Sequence, residues 1–171
     1  MLKPIIRKDK RGYFLESFNQ KKIDKLLGHV NFVQQNESKS SRGVLRGLHF
    51  QKPPHAQSKL VSCVKGIVLD VALDLRSNSI TYGQFETTIL SEDNKKQLFI
   101  PKGFAHGFVV LSDYAIFSYK VDNYYNPDFE SGLIWNDPEL NIEWEINKSE
   151  IIVSQRDSKL QNFNNFITPF L

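Results

Sequence analysis

The feature that most constrains the fold of this chain is an alternation of side chains with a period of two. Residues 67–75 read IVLDVALDL, so Leu69, Val71 and Leu73 share one face while Asp70 lies on the other. Only an extended strand has that period. Further short β-rich runs, separated by turn residues, occur at Tyr13–Phe18, Asn31–Asn36, Val44–Phe50, Lys59–Val64, Tyr82–Leu90, Gln97–Ile100, His106–Leu111 and Ala115–Val121. The pattern predicts an all-β jelly roll or β-barrel.

A few short helices are expected beside the strands. Asn19 is a suitable N-cap for a helix whose apolar stripe contains Ile23, Leu26 and Leu27, and Gly28 is a natural stop. A second short helix is predicted near Asp157, and residues 161–171 show no clear pattern. The length of 171 residues suits one domain spanning 1–171, since a domain has roughly 100–200 residues.

Composition argues against several classes of protein. There are 22 Lys+Arg against 19 Asp+Glu, a net charge of +3, and the basic residues are interspersed with acids, so we expect no nucleic-acid partner. No apolar run approaches the roughly 18 residues of a membrane span, so we expect no membrane partner. Cys63 is the only cysteine, which excludes an internal disulfide and favours a reducing, cytoplasmic location.

Two segments concentrate residues that can perform chemistry. Residues 43–51 (GVLRGLHFQ) and 101–108 (PKGFAHGF) are similar to the two sequence elements of the cupin jelly rolls. Metal-binding cupins continue the first element as H-x-H with a following Glu, whereas here Gln51 takes the second position and no Glu follows. His49 and His106 alone are too few ligands for a tightly held metal ion. We therefore expect no metal site and no cofactor.

The first element also raises a geometric question. Arg46 and His49 are three residues apart and would face opposite sides of a regular strand. A bulge at Gly47 would bring both to the same cavity. Lys59 opens an apolar strand, where a buried ammonium needs a partner, and Asp70 is the candidate.

Taken singly, these residues have ordinary structural explanations. Tyr119 would be a core aromatic residue, Asp157 a helix N-cap, and Lys59 a side chain that extends to solvent. Glu16 and Arg11 would form an exposed ion pair on the first hairpin. None of them alone indicates a function.

The order of longer motifs is more specific. From about residue 4 to residue 160 the chain resembles the family of dTDP-4-dehydrorhamnose 3,5-epimerases. The motifs that carry this resemblance are RGxFxESF at 11–18, VQxNxS at 33–38, GVLRGLHFQ at 43–51, AQxKLV at 56–61, DVALDLR at 70–76, QLxIPxGFAHGF at 97–108, YKxxNYYxPxxExG at 119–132 and WNDPxLxIxW at 135–144.

The resemblance implies a metal-free, cupin-like jelly roll that forms a homodimer through its N-terminal strands. Its substrate would be dTDP-4-dehydro-6-deoxy-D-glucose, epimerised next to the C4 ketone without a cofactor. The general base would be His49, held by Asp157, and the general acid would be Tyr119. Lys59 would lie near the ketone oxygen.

The resemblance also implies a set of substrate-binding residues. Arg156 stands where other members often have Lys, which keeps the charge but changes the donor geometry. The expected binding residues are Arg11, Glu16, Gln34, Gln35, Asn36, Arg46, Lys59, His106, Glu130 and Arg156.

Other functions remain open on the sequence alone. A 3- or 5-mono-epimerase of a related dTDP-4-keto sugar would keep the same catalytic residues. A sugar 3,4-ketoisomerase is disfavoured by the segment from Tyr119 to Asp157. A non-catalytic nucleotide-sugar-binding cupin would tend to lose His49 or Tyr119, and a metal-dependent cupin is disfavoured by Gln51.

Overall fold

The computed structural model describes every residue from Met1 to Leu171 and contains one α-helix and eleven β-strands. The helix α1 spans Gln20–Leu27. The strands are β1 (Arg7–Asp9), β2 (Gly12–Phe14), β3 (Gln34–Ser41), β4 (Leu45–Gln51), β5 (Lys59–Lys65), β6 (Ile67–Asp74), β7 (Phe85–Ser91), β8 (Gln97–Ile100), β9 (Phe104–Val110), β10 (Tyr114–Val121) and β11 (Glu130–Gly132).

Apart from a separate β1–β2 hairpin, the strands form two antiparallel sheets. One sheet has four strands in the order β3-β10-β5-β8, and the other has five in the order β11-β4-β9-β6-β7. The sheets pack against each other as a jelly-roll sandwich and are not hydrogen-bonded into a closed barrel. The predicted all-β, cupin-like fold class is therefore confirmed.

The apolar core has two layers because β6 is covered on both faces. The even-numbered Val68 and Ala72 pack between the two sheets, together with residues such as Phe117 of β10. The odd-numbered face of β6 packs under the C-terminal segment, which contributes Trp144 and Phe170. Burial on both faces explains why apolar residues occupy six of the eight positions of β6. No helix of the protein has the length and apolar character needed to cross a membrane.

The helix predictions are partly correct. The Asn19 side chain accepts a hydrogen bond from the Lys22 amide, and Gly28 ends α1 with a φ of 78°. Of the predicted stripe only Ile23 is buried, while Leu26 is 64% exposed. The short helix expected near Asp157 is a single 3₁₀ turn over Asp157–Lys159.

Several strand boundaries differ from the prediction. The largest change is β3, which runs from Gln34 to Ser41 where the sequence predicted Asn31–Asn36. Its residues QQNESKSS contain no apolar alternation, so β3 is held by its pairing with β10 and not by a buried face. The short strands β1 and β11 were not predicted, because three-residue strands carry too little pattern.

Candidate active site

A cavity of about 510 Å³ lies between the two sheets and is closed on one side by residues 152–157. Its walls combine apolar side chains with most of the chemically capable residues singled out from the sequence. The lining residues are Glu37, Ser38, Val44, Leu45, Arg46, His49, Lys59, His106, Phe108, Phe117, Tyr119, Tyr125, Glu130, Ile152, Val153, Ser154, Arg156 and Asp157.

A break in the β4–β9 pairing brings Arg46 and His49 to this cavity. The register shifts between these two residues, which confirms the irregularity expected at Gly47. Gly47 has a φ of 128°, and a Cβ built on it would lie 2.5 Å from the Cα atom of Gly107. Only glycine combines this backbone conformation with such close strand contact.

His49 forms a hydrogen-bonded pair with Asp157, which lies far away in the sequence. The His49 Nε2 atom is 2.8 Å from the Asp157 Oδ1 atom, and Asp157 is buried. The other carboxylate oxygen of Asp157 accepts a hydrogen bond from the Gly47 amide at 3.3 Å. Burial raises the pKa of Asp157, but the hydrogen bond from His49 and the His49 charge outweigh it, so the net pKa is lowered.

The ionised Asp157 fixes the orientation and tautomer of the His49 ring. Asp157 begins a 3₁₀ turn, but its side chain bonds to β4 and does not cap that turn, so the N-cap explanation is wrong. No hydrogen bond occupies the second ring nitrogen of His49, Nδ1. A neutral histidine held in this way can accept a proton near neutral pH.

Lys59 and Tyr119 reach the same cavity from the opposite sheet. Lys59 is the first residue of β5, and its Nζ atom lies 3.4 Å from the main-chain oxygen of His49. Tyr119 is on β10, where its ring is near that of Phe117 at a centroid distance of 6.4 Å. The cation and the phenol therefore lie across the cavity from the strand that carries the His49–Asp157 pair.

The ammonium group of Lys59 is poorly solvated. Burial lowers the pKa of Lys59 to about 8, although the charges of Asp70 and Glu130 act in the opposite direction. The predicted ion pair between Lys59 and Asp70 is not formed, so that expectation is wrong. Asp70 instead bonds to His106, with 2.9 Å between Oδ2 and Nε2.

His106 and Asp70 form a second His–carboxylate pair, deeper than the first. Both residues are buried, and Oδ1 of Asp70 has no hydrogen-bond partner. Burial is the main cause that lowers the pKa of His106, against the opposing effect of Asp70. His106 is therefore a neutral, oriented group at neutral pH, suited to hydrogen bonding within the cavity.

Three polar side chains form a cluster at the rim of the cavity, which we call the rim cluster: Tyr125, Glu130 and Arg156. The Tyr125 hydroxyl donates to Glu130 Oε2 at 2.5 Å, and Arg156 Nη1 lies 2.8 Å from the same oxygen. Burial raises the pKa of Glu130, but the hydrogen bonds from Arg156 and Tyr125 outweigh it, so the net pKa is lowered and Glu130 is ionised. Sequence reasoning missed Tyr125; its only signal was its place in the motif NYYxPxxE.

Other lining residues complete the polar wall. Arg46 projects into the cavity with its Nε atom 3.2 Å from the Ser40 hydroxyl. Glu37 and Ser38 of β3 also line the cavity, and the Ser38 hydroxyl is buried without a partner. Neither residue was identified from the sequence, since a polar strand carries no signal of which side chains face inward.

Five of the expected binding residues lie outside this cavity in the single chain. Arg11 pairs with Asp9 and Glu16 pairs with Lys22, so the expected Arg11–Glu16 pair is wrong. Both are on the N-terminal arm. The other three are Gln34, Gln35 and Asn36 of β3. Gln34 accepts a hydrogen bond from the Tyr125 amide and donates one to Asn36, and Gln35 donates one to the Ser118 hydroxyl of β10.

The residues present do not fit the metal centre of metal-binding cupins. Gln51 occupies the position of the second ligand histidine, but it is buried and its amide is bonded to the main chain at His55, Tyr124 and Asn126. No group of three or more His, Cys, Asp or Glu side chains has an arrangement suited to a metal ion. The two cavity histidines are each engaged by a carboxylate, His49 by Asp157 and His106 by its own partner.

Comparison with known proteins points to one family. A profile of that family, dTDP-4-dehydrorhamnose 3,5-epimerase, matches residues 1–165. The enzyme of this name from Escherichia coli K12 is 51% identical over 168 residues, which cover 98% of this chain and 90% of that one.

Comparison with solved structures points to the same family. The dTDP-4-dehydrorhamnose 3,5-epimerase of Elizabethkingia anophelis is 52% identical with a TM-score of 0.91, over 95% of this chain and 90% of that one. The dTDP-6-deoxy-D-glucose-3,5-epimerase of Legionella pneumophila, solved in complex with dTDP-4-keto-L-rhamnose, is 45% identical with a TM-score of 0.94. That match covers 99% of this chain and 91% of the other.

Proposed function

The chain belongs to the dTDP-4-dehydrorhamnose 3,5-epimerase family, and we propose that it inverts C3 and C5 of dTDP-4-dehydro-6-deoxy-D-glucose to give dTDP-4-dehydro-L-rhamnose. The observation that carries this proposal is one cavity lined by a His–Asp pair, a lysine and a tyrosine. His49 of the pair and Tyr119 are on facing sheets. Such an arrangement suits proton removal from one side of a sugar ring and proton delivery from the other.

The chemistry follows from the C4 ketone. A carbonyl acidifies the hydrogens on the neighbouring carbons C3 and C5, because the electron pair left behind is delocalised onto the ketone oxygen as an enolate. His49 takes the proton, and Asp157 stabilises the resulting imidazolium. Lys59 supplies positive charge to the enolate oxygen. The enolate then takes a proton from the Tyr119 hydroxyl on the opposite face, which inverts the carbon, and solvent restores both groups.

The decisive experiment is NMR spectroscopy of the reaction in deuterated water. Incorporation of deuterium at both C3 and C5 of dTDP-4-keto-6-deoxyglucose supports the proposed double epimerase. Incorporation at one carbon would identify a mono-epimerase. Incorporation at neither would overturn the proposal in favour of a binding protein or of a different substrate.

Tyr119→Phe should separate proton removal from reprotonation. The phenylalanine ring keeps the packing but cannot donate a proton, so we expect inversion to slow by about 100-fold. Deuterium should still enter C3 of recovered, uninverted substrate, because His49 can return a solvent-derived proton to the original face. The measurement is the ratio of exchange to inversion by NMR.

Tyr114→Phe is the matched control, since Tyr114 is on the same strand but does not line the cavity. It should leave both rates unchanged. Inversion at the wild-type rate in Tyr119→Phe would show that another group is the acid.

The pH dependence of kcat/KM should reflect the ionisation of Lys59. Its pKa is lowered to about 8 by burial, so the ammonium loses its proton as the pH rises through 8. Because the enolate needs the charged form, kcat/KM should fall above that pH. In Lys59→Arg the guanidinium stays charged, and the basic limb should disappear even if the maximum rate is lower. The same limb in both proteins would show that a group other than Lys59 causes it.

We propose in addition that the protein acts as a homodimer in the cytoplasm. The N-terminal hairpin carries exposed Tyr13 and Phe14, exposed Ile5 lies just before it, and a two-stranded hairpin is marginally stable alone. A partner covering it would also account for the distance of Arg11 and Glu16 from the cavity of their own chain. Sedimentation velocity measures the oligomeric state directly, and a monomer at micromolar concentration would overturn this part. The single, buried thiol of Cys63 supports the location.

A further inference from the structure

Gln51 is fully engaged in hydrogen bonds at the end of β4. Its Nε2 atom donates to the main-chain oxygens of His55 at 2.7 Å and Tyr124 at 3.2 Å. Its Oε1 atom accepts from the Asn126 amide at 2.7 Å. Two carbonyls face the nitrogen and one N–H faces the oxygen, so the reversed amide would lose all three bonds. A side chain that is 4% exposed and satisfied in this way holds its partners firmly.

The two bonds to residues 124 and 126 flank Tyr125 on both sides. Tyr124 C=O belongs to the peptide group before Tyr125, and the Asn126 N–H belongs to the group after it. A second glutamine, Gln34 of β3, accepts a hydrogen bond from the Tyr125 amide at 3.2 Å. Tyr125 is in a loop outside the strands, so side chains supply the main-chain bonds that a sheet would otherwise give.

These hydrogen bonds from Gln51 and Gln34 hold the rim cluster in place. Tyr125 lines the cavity and is 51% exposed as a residue, and its hydroxyl is held by the hydrogen bond to Glu130. Apart from that hydrogen bond, the orientation of the Tyr125 side chain depends on the position of its main chain. Glu130 pairs with Gln51 in the β11–β4 register, so one short stretch of β4 supports both the loop and the strand of the rim.

We infer that Gln51 is a positioning residue for substrate binding, acting through the main chain of Tyr125. It keeps the rim cluster in the geometry that receives the nucleotide part of the substrate, and the inference rests on the proposed function for the identity of that ligand. Gln51 contacts none of His49, Lys59 and Tyr119 through its hydrogen bonds. Its loss should therefore affect affinity much more than turnover.

The test is Gln51→Met, which keeps the side-chain length and removes the three hydrogen bonds. We expect the Kd for dTDP, measured by calorimetry, and the KM for the substrate each to rise about tenfold, with kcat within about threefold of wild type. Tyr125→Phe should weaken dTDP binding in the wild-type background but add less than about twofold to Gln51→Met, because the ring is already released.

Gln57→Met is the matched control. Gln57 is a half-buried glutamine that donates to the same loop, to the Asn123 main-chain oxygen at 2.8 Å, but it does not flank Tyr125. Gln57→Met should lower the urea midpoint, by less because one hydrogen bond is lost and not three, and should leave the Kd for dTDP unchanged. Unchanged dTDP affinity in folded Gln51→Met would overturn the inference. The inference would also be overturned if Gln51→Met and Gln57→Met weakened dTDP binding equally. Additive effects of Gln51→Met and Tyr125→Phe on the Kd for dTDP would overturn it too.

Two features keep the test decisive. If Gln51→Met does not fold, Gln51→Glu retains the acceptor for Asn126 but turns an oxygen toward the carbonyls of Tyr124 and His55, and should weaken dTDP binding above neutral pH. Wild-type affinity in this variant would count against the inference. Binding of dTDP needs no turnover, so a wild-type protein that binds dTDP without exchanging deuterium would refute the proposed function and leave this inference standing.

Discussion

His49→Gln should lower the rate of deuterium incorporation at C3 and C5 by about 1,000-fold or more, within the range expected for loss of a general base together with its pairing to Asp157. Asp157 is bonded to the Nε2 atom of His49, and the amide of a glutamine reaches a similar position. The variant can therefore keep Asp157 hydrogen-bonded while removing the only titratable nitrogen. The measurement is the exchange rate by NMR, with dTDP affinity expected to stay at the wild-type value.

Asp157→Asn tests the other half of the pair. An amide at this position can donate to Nε2, which would favour the wrong tautomer of His49, so we expect a loss of at least about 100-fold in kcat. His29→Gln is the matched control because His29 also faces an aspartate, Asp24, at 3.6 Å but is exposed beyond the end of α1. His29→Gln should leave kcat unchanged. Residual exchange in His49→Gln at a tenth of the wild-type rate would exclude His49 as the base.

The sandwich could be predicted from the sequence because strands with a buried face carry their period with them. The chain after Val121 could not, since it follows no single period. Trp144, Phe166 and Phe170 are irregularly spaced, lie outside the helices and named strands, and pack against the outer face of the five-stranded sheet. Their positions are determined by contacts with strands more than 60 residues earlier, for example between Phe170 and Arg76. Local periodicity has no information on such contacts.

For the candidate site, residue types could be predicted better than their partners. The bulge at Gly47 was foreseen from the spacing of Arg46 and His49, because strand geometry fixes which side each residue faces. The partner of Asp70 was predicted wrongly. The charge of its carboxylate acts on both Lys59 and His106, and only the side-chain positions on β5, β6 and β9 decide that the imidazole takes the hydrogen bond.

The position of Tyr125 in the rim cluster could not be predicted from the sequence either. Tyr125 lies in a loop whose path is set by hydrogen bonds from glutamines on two different strands, Gln34 and Gln51. In the sequence these glutamines look like ordinary polar residues. Their role depends on which main-chain groups are left without partners after the sheets form, and this can only be counted in three dimensions.

Gly47→Ala should lower the free energy of unfolding by more than about 3 kcal/mol and impair the site together with the fold. The new methyl group would lie 2.5 Å from Gly107 Cα and 2.7 Å from the His106 main-chain oxygen, so β4 and β9 would have to separate. A φ of 128° adds further strain for any residue with a Cβ. The Gly47 amide also donates to Asp157, so the shift would disturb the partner of His49. Urea denaturation and the exchange rate measure the two effects.

The size of this effect distinguishes crowding between strands from backbone strain alone. Gly28→Ala provides the comparison, because Gly28 also has a positive φ, 78°, but nothing lies within 4 Å of its Cβ position. That variant should lose less, about 1–3 kcal/mol, which is the strain of a positive φ combined with an extended ψ of −178°. If Gly47→Ala were destabilised no more than Gly28→Ala, the strands could adapt to a side chain at the bulge. The close approach of β4 to β9 would then not be what holds Arg46 and His49 on one side of the sheet.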